Sequence, residues 1–341
     1  MAHQKPILRH DGELVEGGDE PLTPEQMAAI IDEILPDHSR PIYAKEHEAD
    51  FSHFEPDVGR FRANAFQCQG AASLALRRVQ TQVPTFEELG LPMILADLAL
   101  SESGILLSGG SSGSGKSTTI ARLIQHINEN DSRRIITIED PIEFLFTSQH
   151  SIILQREIGV DTLSFSAALK HVLRQDPDVV MVGEMRDAES FSAALSMAET
   201  GHFVLSTLHT DTASQSISRI LNFFPPHQRD IVRMSLSVNL RGVVCQRLLQ
   251  GINGGFVPAV EIMINTPLVR KLLEKNTLDK LPAAIETDPD SGMQTFNQSI
   301  KQMIDDSIIS EEEGLSYSTN PAALKMMLSG IDLSEGRRIV D

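Results

Sequence analysis

The stretch Ile105 to Ile120, ILLSGGSSGSGKSTTI, decides how the rest of the chain is read. Gly110, four residues, Gly115, Lys116 and Ser117 fit the pattern G-x-x-x-x-G-K-[ST] without a gap. Upstream, Ile105, Leu106 and Leu107 form a short β-type run. Downstream, Ile120, Leu123, Ile124 and Ile127 recur at the i, i+3, i+4, i+7 spacing of one helix face. The glycines therefore lie between a strand and a helix, the context a phosphate-binding P-loop requires. Glycines let successive backbone N–H groups turn inward and form an anion-binding nest at a helix N-terminus. The expected polyphosphate cradle is Gly110, Ser111, Ser112, Gly113, Ser114, Gly115, Lys116, Ser117 and Thr118. Lys116 supplies a point charge for the β- and γ-phosphates of ATP, and the Ser117 hydroxyl can occupy one position on Mg²⁺. A flexible Gly/Ser linker would explain the glycines but not a Lys-Ser pair at the mouth of an amphipathic helix.

The 341 residues are enough for about two or three domains, and 41% hydrophobic with 22% charged residues is ordinary globular composition. A net charge of −18 argues against a broad nucleic-acid footprint. The two cysteines, Cys68 and Cys245, lie far apart with no C-x-x-C, so neither a disulfide framework nor a zinc ribbon is encoded, and a reducing cytoplasm fits. No apolar run approaches the ~20 residues that span a bilayer, and the N-terminus has no signal-peptide pattern. Any membrane association is expected to go through partners, without direct insertion.

Along the chain, Ile7 to Val15 reads as a hairpin around Asp11-Gly12. Thr23-Pro24-Glu25-Gln26 is an N-cap with Pro at the first helical position and Gln at the third, ahead of Met27, Ile30, Ile31 and Ile34 at helical spacing. From Asp50 to Val79 residues alternate, with Phe61, Ala63 and Ala65 on one side and Arg60, Arg62 and Asn64 on the other. These are strands of a small α/β domain whose arginines, Arg77 included, point away from the core. A proline-bearing connector from Thr81 to Pro92 puts a domain boundary near residue 90. Beyond the P-loop helix, β-type runs at 135–138, 179–182 and 203–207 alternate with helical patterns at 165–172 and 188–199, which predicts a mainly parallel sheet covered by helices. A further helical pattern precedes Pro225-Pro226, a β-type run spans 257–264, and short helices follow from Pro267.

Carboxylates gather where strands end. Glu139, Asp140 and Glu143 follow one apolar run, and Asp178-Val-Val-Met-Val-Gly-Glu184 delivers Glu184 past another. Ligands of open α/β sheets bind at such carboxyl edges, and a carboxylate after an apolar strand is how P-loop enzymes reach Mg²⁺. A solvated helix N-terminus has a similar acidic composition. His202 and His209 bracket the run 203–207; a structural role is the default for each, and His209 is the better placed to sense a γ-phosphate.

Taken in order, Gly-Ser-Gly-Lys-Ser-Thr (113–118), Thr-Ile-Glu-Asp-Pro-Ile-Glu (137–143), Gln-Arg-Glu (155–157), Asp178 to Asp187, Ala-Glu-Thr-Gly-His (198–202) and Thr-Leu-His-Thr (207–210) resemble the Walker A, Asp box, Walker B and His box of bacterial secretion ATPases. Within that family the chain is most similar to the type IV pilus retraction motors of the PilT/PilU group. The resemblance extends to Arg-Phe-Arg-Ala-Asn-Ala-Phe (60–66) and Gly-Met-Gln-Thr-Phe (292–296), nearly the whole chain. It implies an α/β fold with a PAS-like N-terminal α/β domain to residue 90, a RecA-like P-loop ATPase domain over 91–264 and C-terminal helices over 265–341. It also implies a homohexamer that hydrolyses ATP with Mg²⁺, peripheral at the inner-membrane pilus base. There it would act on a platform protein, with a paralogous retraction ATPase as a further candidate partner. Carried across by position, Lys116 and Ser117 hold phosphate and metal, Glu184 assists the metal site, His209 contacts the γ-phosphate and Glu143 polarises the attacking water. Arg60, Arg62 and Arg77 match arginines that reach nucleotide from the side or from a neighbouring subunit; an exposed, salt-bridged strand face is the alternative. Two departures stand out. A family strand containing Asp-Leu-His is missing before Lys5, and the family's retraction signature is present only as Leu268-Val-Arg-Lys-Leu-Leu-Glu-Lys275, which leaves PilT and PilU roles open. A zinc-bearing extension or type II secretion enzyme would need four cysteines after the His box, where only Cys245 is found.

Overall fold

Runs that are apolar on both faces build the centre of this protein. The computed structural model describes residues 5–10, 13–18 and 20–330. These fall into two compact units, one reaching Thr81 and including Glu143–Leu145, the other comprising Gln82–Ile142 and the residues from Phe146.

The first unit contains the strands β1 (Ile7–His10) and β2 (Glu13–Glu16), the helices α1 (Pro24–Ile34) and α2 (Arg40–Glu46), and the strands β3 (Glu48–Glu55), β4 (Gly59–Cys68) and β5 (Ala71–Arg78). β1 and β2 pair antiparallel as a separate ribbon, Ile7 opposite Glu16; the Asp11-Gly12 turn expected between them lies outside the described residues. α1 begins with the capping box read from the sequence: Thr23 Oγ1 accepts from the Gln26 amide at 3.2 Å and the Thr23 amide donates to Gln26 Oε1 at 2.8 Å. Its Met27 and Ile31, with Leu35, pack on Ala49, Phe51, Ala63 and Ala65 of the antiparallel sheet β3-β4-β5. The alternation in β4 has the consequence expected: the alanines enter the core and the arginines stay on the other face.

The second unit contains α3 (Ile94–Ala99), β6 (Gly104–Gly109), α4 (Lys116–Asn130), β7 (Arg134–Glu139), β8 (Ile152–Glu157), α5 (Phe165–Val172), β9 (Val179–Val182), α6 (Ala188–Glu199), β10 (Phe203–Leu208), α7 (Ala213–Phe223), α8 (Pro226–Asn239), β11 (Leu240–Gln250) and β12 (Phe256–Ile264). Five short helices close it: α9 (Pro267–Glu274), α10 (Leu281–Glu286), α11 (Phe296–Asp305), α12 (Glu311–Tyr317) and α13 (Pro321–Leu328). The sheet order is β12-β11-β6-β10-β9-β7-β8, parallel except for the β11–β12 pair. Successive residues of each strand serve opposite faces. Ile105, Leu107, Ile136, Val180 and Val204 meet α5 to α9 on one side, whereas Leu106, Ile135, Val179 and Leu205 meet α3 and α4 on the other. Each such fully buried aliphatic side chain contributes about 1.5–3 kcal/mol. With both faces dry, the strand ends are where most polar groups of this sheet reach the surface.

Candidate nucleotide-binding site

The P-loop occupies the turn between β6 and α4, and its backbone explains its glycines. Gly115, at the helix N-cap, has φ 89°, a left-handed conformation that costs glycine little. A Cβ on Gly110 would lie 2.3 Å from Ser114 Oγ and 2.8 Å from the Gln246 carbonyl oxygen, so only glycine lets the loop close on itself there. Lys116 is 8% exposed, and its ammonium donates to the Gly110 and Ser111 carbonyls at 2.9 and 2.7 Å. The cation is thereby held over the loop whose amides form the nest. Ser114 Oγ is buried without a hydrogen-bond partner, while Ser117 and Thr118 are half-buried in the first turn of α4. This donor-rich, cationic cradle fits a polyphosphate.

Parallel pairing brings the neighbouring strand ends to the same edge. Gly109 pairs with Leu208, Ser206 with Val182, and Ile138 with Val182, so the segments after β6, β10, β9 and β7 emerge together. There Glu184, largely buried, takes an ion pair with Arg186 and faces His209 Nε2 at 3.6 Å. Thr207 Oγ1 donates to the Gly183 carbonyl at 2.6 Å and Ser206 Oγ to the Val182 carbonyl at 2.7 Å, stapling the two carriers of this pair. Thus Glu184 and His209, expected separately from two boxes, lie side by side, and Arg186 joins them. Glu139 is buried and accepts from Thr137 Oγ1 at 2.6 Å and Gln155 Nε2 at 3.0 Å, so it ties β7 to β8.

Among the described residues no cluster of three or more His, Cys, Asp and Glu is arranged as a metal cage. A magnesium ion held by substrate phosphates and water needs only one or two protein oxygens, which Ser117 and Glu184 are able to supply.

The remaining expected residues have other surroundings. Arg62 and Arg77 are register partners on β4 and β5, which puts both guanidinium groups on one face of the small sheet. Arg60 shares that face by its spacing from Arg62. Glu143 groups with the same unit, where Arg62 Nη1 stands 3.3 Å from its Oε1 and the neighbouring Leu145 amide donates to the Gln80 carbonyl at 2.9 Å. His202 lies at the opposite edge of the large sheet from His209: its carbonyl accepts from Gly104, and its Nδ1 lies 3.0 Å from the Met197 carbonyl and 3.1 Å from Thr200 Oγ1. Those contacts assign it to the fold.

Comparison with known proteins gives the family and the fold. Residues 52–255 match the family described as type II/IV secretion system protein. The chain is 39% identical to the type IV pilus ATPase PilU of Pseudomonas aeruginosa over 95% of its length and 85% of the relative. It is 41% identical to the type IV pilus retraction ATPase PilT of the same organism over 90% of its length and 89% of the relative. A crystal structure of the pilus retraction motor PilT with bound ADP superimposes with a TM-score of 0.89 at 41% identity, covering 96% of this chain and 94% of that one.

Proposed function

Because this chain belongs to the type II/IV secretion system protein family, we propose that it is a hexameric motor whose ATP hydrolysis drives retraction of type IV pili. Its enzymatic activity is ATP hydrolysis. The observation that carries the finer reading is the 41% identity to a pilus retraction ATPase across 90% of the chain. In this reading the loop amides and Lys116 bind the phosphates, and Ser117 and Glu184 serve Mg²⁺, which supplies charge neutralisation when bound. His209 contacts the terminal phosphate, and Glu143 orients the attacking water. Arg60, Arg62 and Arg77 supply positive charge to the transition state, from the same chain or from a neighbouring copy. No helix among the described residues is long and apolar enough to cross a membrane, so we assign attachment at the pilus base to a platform protein.

The PilU relative, 39% identical over 95% of the chain, matches as fully as the PilT relative, which supports a second reading: an accessory subunit acting with another retraction motor. Deleting the gene separates these from extension. A retraction motor predicts surface pili that accumulate while twitching is lost; loss of pili would overturn it. Steady-state turnover of the purified protein then divides motor from accessory, because the accessory reading requires little hydrolysis in isolation.

A further inference from the structure

Ser114 Oγ and Gln246 Oε1 are both buried and both without a hydrogen-bond partner. Both residues border the P-loop glycines. Ser114 is 3% exposed and its hydroxyl folds back over Gly110, at 2.3 Å from the point a Cβ would occupy. Gln246, 2% exposed, follows Cys245, the register partner of Gly109. Its carbonyl oxygen lies 2.8 Å from that same point at Gly110, and its side-chain Nε2 lies 3.7 Å from the corresponding point at Gly115. Residues 110 to 115 are thus bordered by an unsatisfied donor on the loop and an unsatisfied acceptor on β11.

A buried polar atom without a partner destabilises the conformation that holds it, so this arrangement of the loop is poised to change. Its companion feature is Lys116, whose ammonium bonds the Gly110 and Ser111 carbonyls and so holds the loop in its present form. We propose that Gln246 is a positioning residue for the nucleotide site: as Lys116 releases those carbonyls for phosphate oxygens, the loop shifts and the Ser114 hydroxyl donates to Gln246 Oε1, locking the loaded P-loop against β11. The proposal rests on the P-loop holding nucleotide. It accounts for a buried carboxamide between Val243, Val244 and Leu249 of β11.

The test compares Gln246→Met, Ser114→Ala and the double variant with the unaltered protein. Thermal midpoints are read without nucleotide, and the dissociation constant of ADP with Mg²⁺ is read by titration. Removing an unpaired polar atom leaves the nucleotide-free midpoint unchanged or raised, whereas losing the bond of the loaded state raises the ADP dissociation constant roughly threefold to tenfold in either single variant. The double variant binds no more weakly than the weaker single one, because both remove the same bond. Single variants that bind ADP as tightly as the unaltered protein overturn the proposal, as does a double variant whose losses multiply. A nucleotide-free midpoint that falls in Gln246→Met with ADP affinity intact assigns the residue to packing alone. Should Gln246→Met not fold, Ser114→Ala decides by itself, since it trims only the loop. Failure of the unaltered protein to bind ADP would refute the nucleotide site, a result distinct from all of these.

Discussion

The carboxyl edge of the seven-stranded sheet and the arginine face of the three-stranded sheet are both polar surfaces carried by β-structure, yet they are built in opposite ways. In the large sheet β6, β9 and β10 are buried along their whole length, so the candidate site residues at 110–118, 184 and 209 lie where strands stop. In the small sheet one face is dry and the other wet, and Arg62 and Arg77 stand side by side in the middle of their strands. Backbone geometry places the first set, and hydrogen bonds from Thr207 and Ser206 hold it. Side-chain conformation alone places the second, half-exposed as Arg62 is beside Glu143. The end-loaded groups are preorganised and the face-loaded ones adaptable, so the comparison has a fixed half and an adaptable half.

The largest effects are expected at the fixed half. Lys116→Ala keeps the loop amides but removes the only mobile charge read into the cradle, and it should lower ATP turnover by at least ~10³ and weaken nucleotide binding sharply. Turnover near that of the unaltered protein would remove the P-loop from the mechanism. Glu184→Gln should retain ATP while hydrolysing it about a hundredfold more slowly, since it removes charge at the position proposed to serve Mg²⁺ without emptying the nest. Equal losses of ATP binding and turnover would instead make Glu184 a binding group.

An intermediate effect is expected at the adaptable half. Arg62→Ala or Arg77→Ala should leave melting and ATP binding largely intact and reduce turnover by about tenfold or more, because an exposed ion pair is worth roughly 0–1 kcal/mol to stability while an arginine at a phosphoryl-transfer site is worth far more in rate. Mixing either variant with Lys116→Ala protein should restore some activity if the arginine acts between copies. Unchanged turnover in both variants would return the face to an ordinary solvated surface and erase the contrast.

How legible each half was follows from the same physics. Runs that are apolar on both faces announce β6, β7, β9 and β10 in the sequence to within a residue or two, and the P-loop is a local pattern. β11 was hidden because Arg241, Gln246 and Arg247 interrupt its apolar run, and β8 because it is an edge strand ending Gln155-Arg156-Glu157. α8 was hidden because its buried stripe, Val232, Arg233, Leu236 and Ser237, mixes apolar with polar residues while Ile231, Met234 and Val238 stay exposed, which blurs the helical period. Glu143 follows the acidic strand end in sequence yet groups with the first unit, since the pairing of 143–145 with Gln80 is long-range and leaves no local trace. The partnerless state of Gln246 is a property of its surroundings, which composition and periodicity do not contain.

The smallest predicted effect lies at a place where the large sheet carries an ionisable group inside a strand. Glu261, in the middle of β12 opposite Cys245, is a carboxylate in the interior rather than at a strand end, 7% exposed, with Oε1 accepting from the Ala213 amide at 2.8 Å. Burial pushes its carboxyl above the usual range, and the Ala213 and Phe296 amides and the Arg247 guanidinium offset this only in part. A carboxyl raised in the folded state favours the protonated form there. Its contribution is therefore fully present below its ordinary value of about 4.3 and is lost as pH rises through the raised folded value. Glutamine keeps an acceptor for the Ala213 amide without acquiring a charge. Glu261→Gln should accordingly melt higher than the unaltered protein at pH 7 to 8, by on the order of 2–4 °C, with the difference closing as the pH approaches 4. A difference that stays constant with pH would mean that shape rather than charge sets it. A variant that melts lower throughout would mean that the attraction of Arg247 outweighs the burial of the carboxylate, in which case the interior of this sheet tolerates charge as readily as its edge.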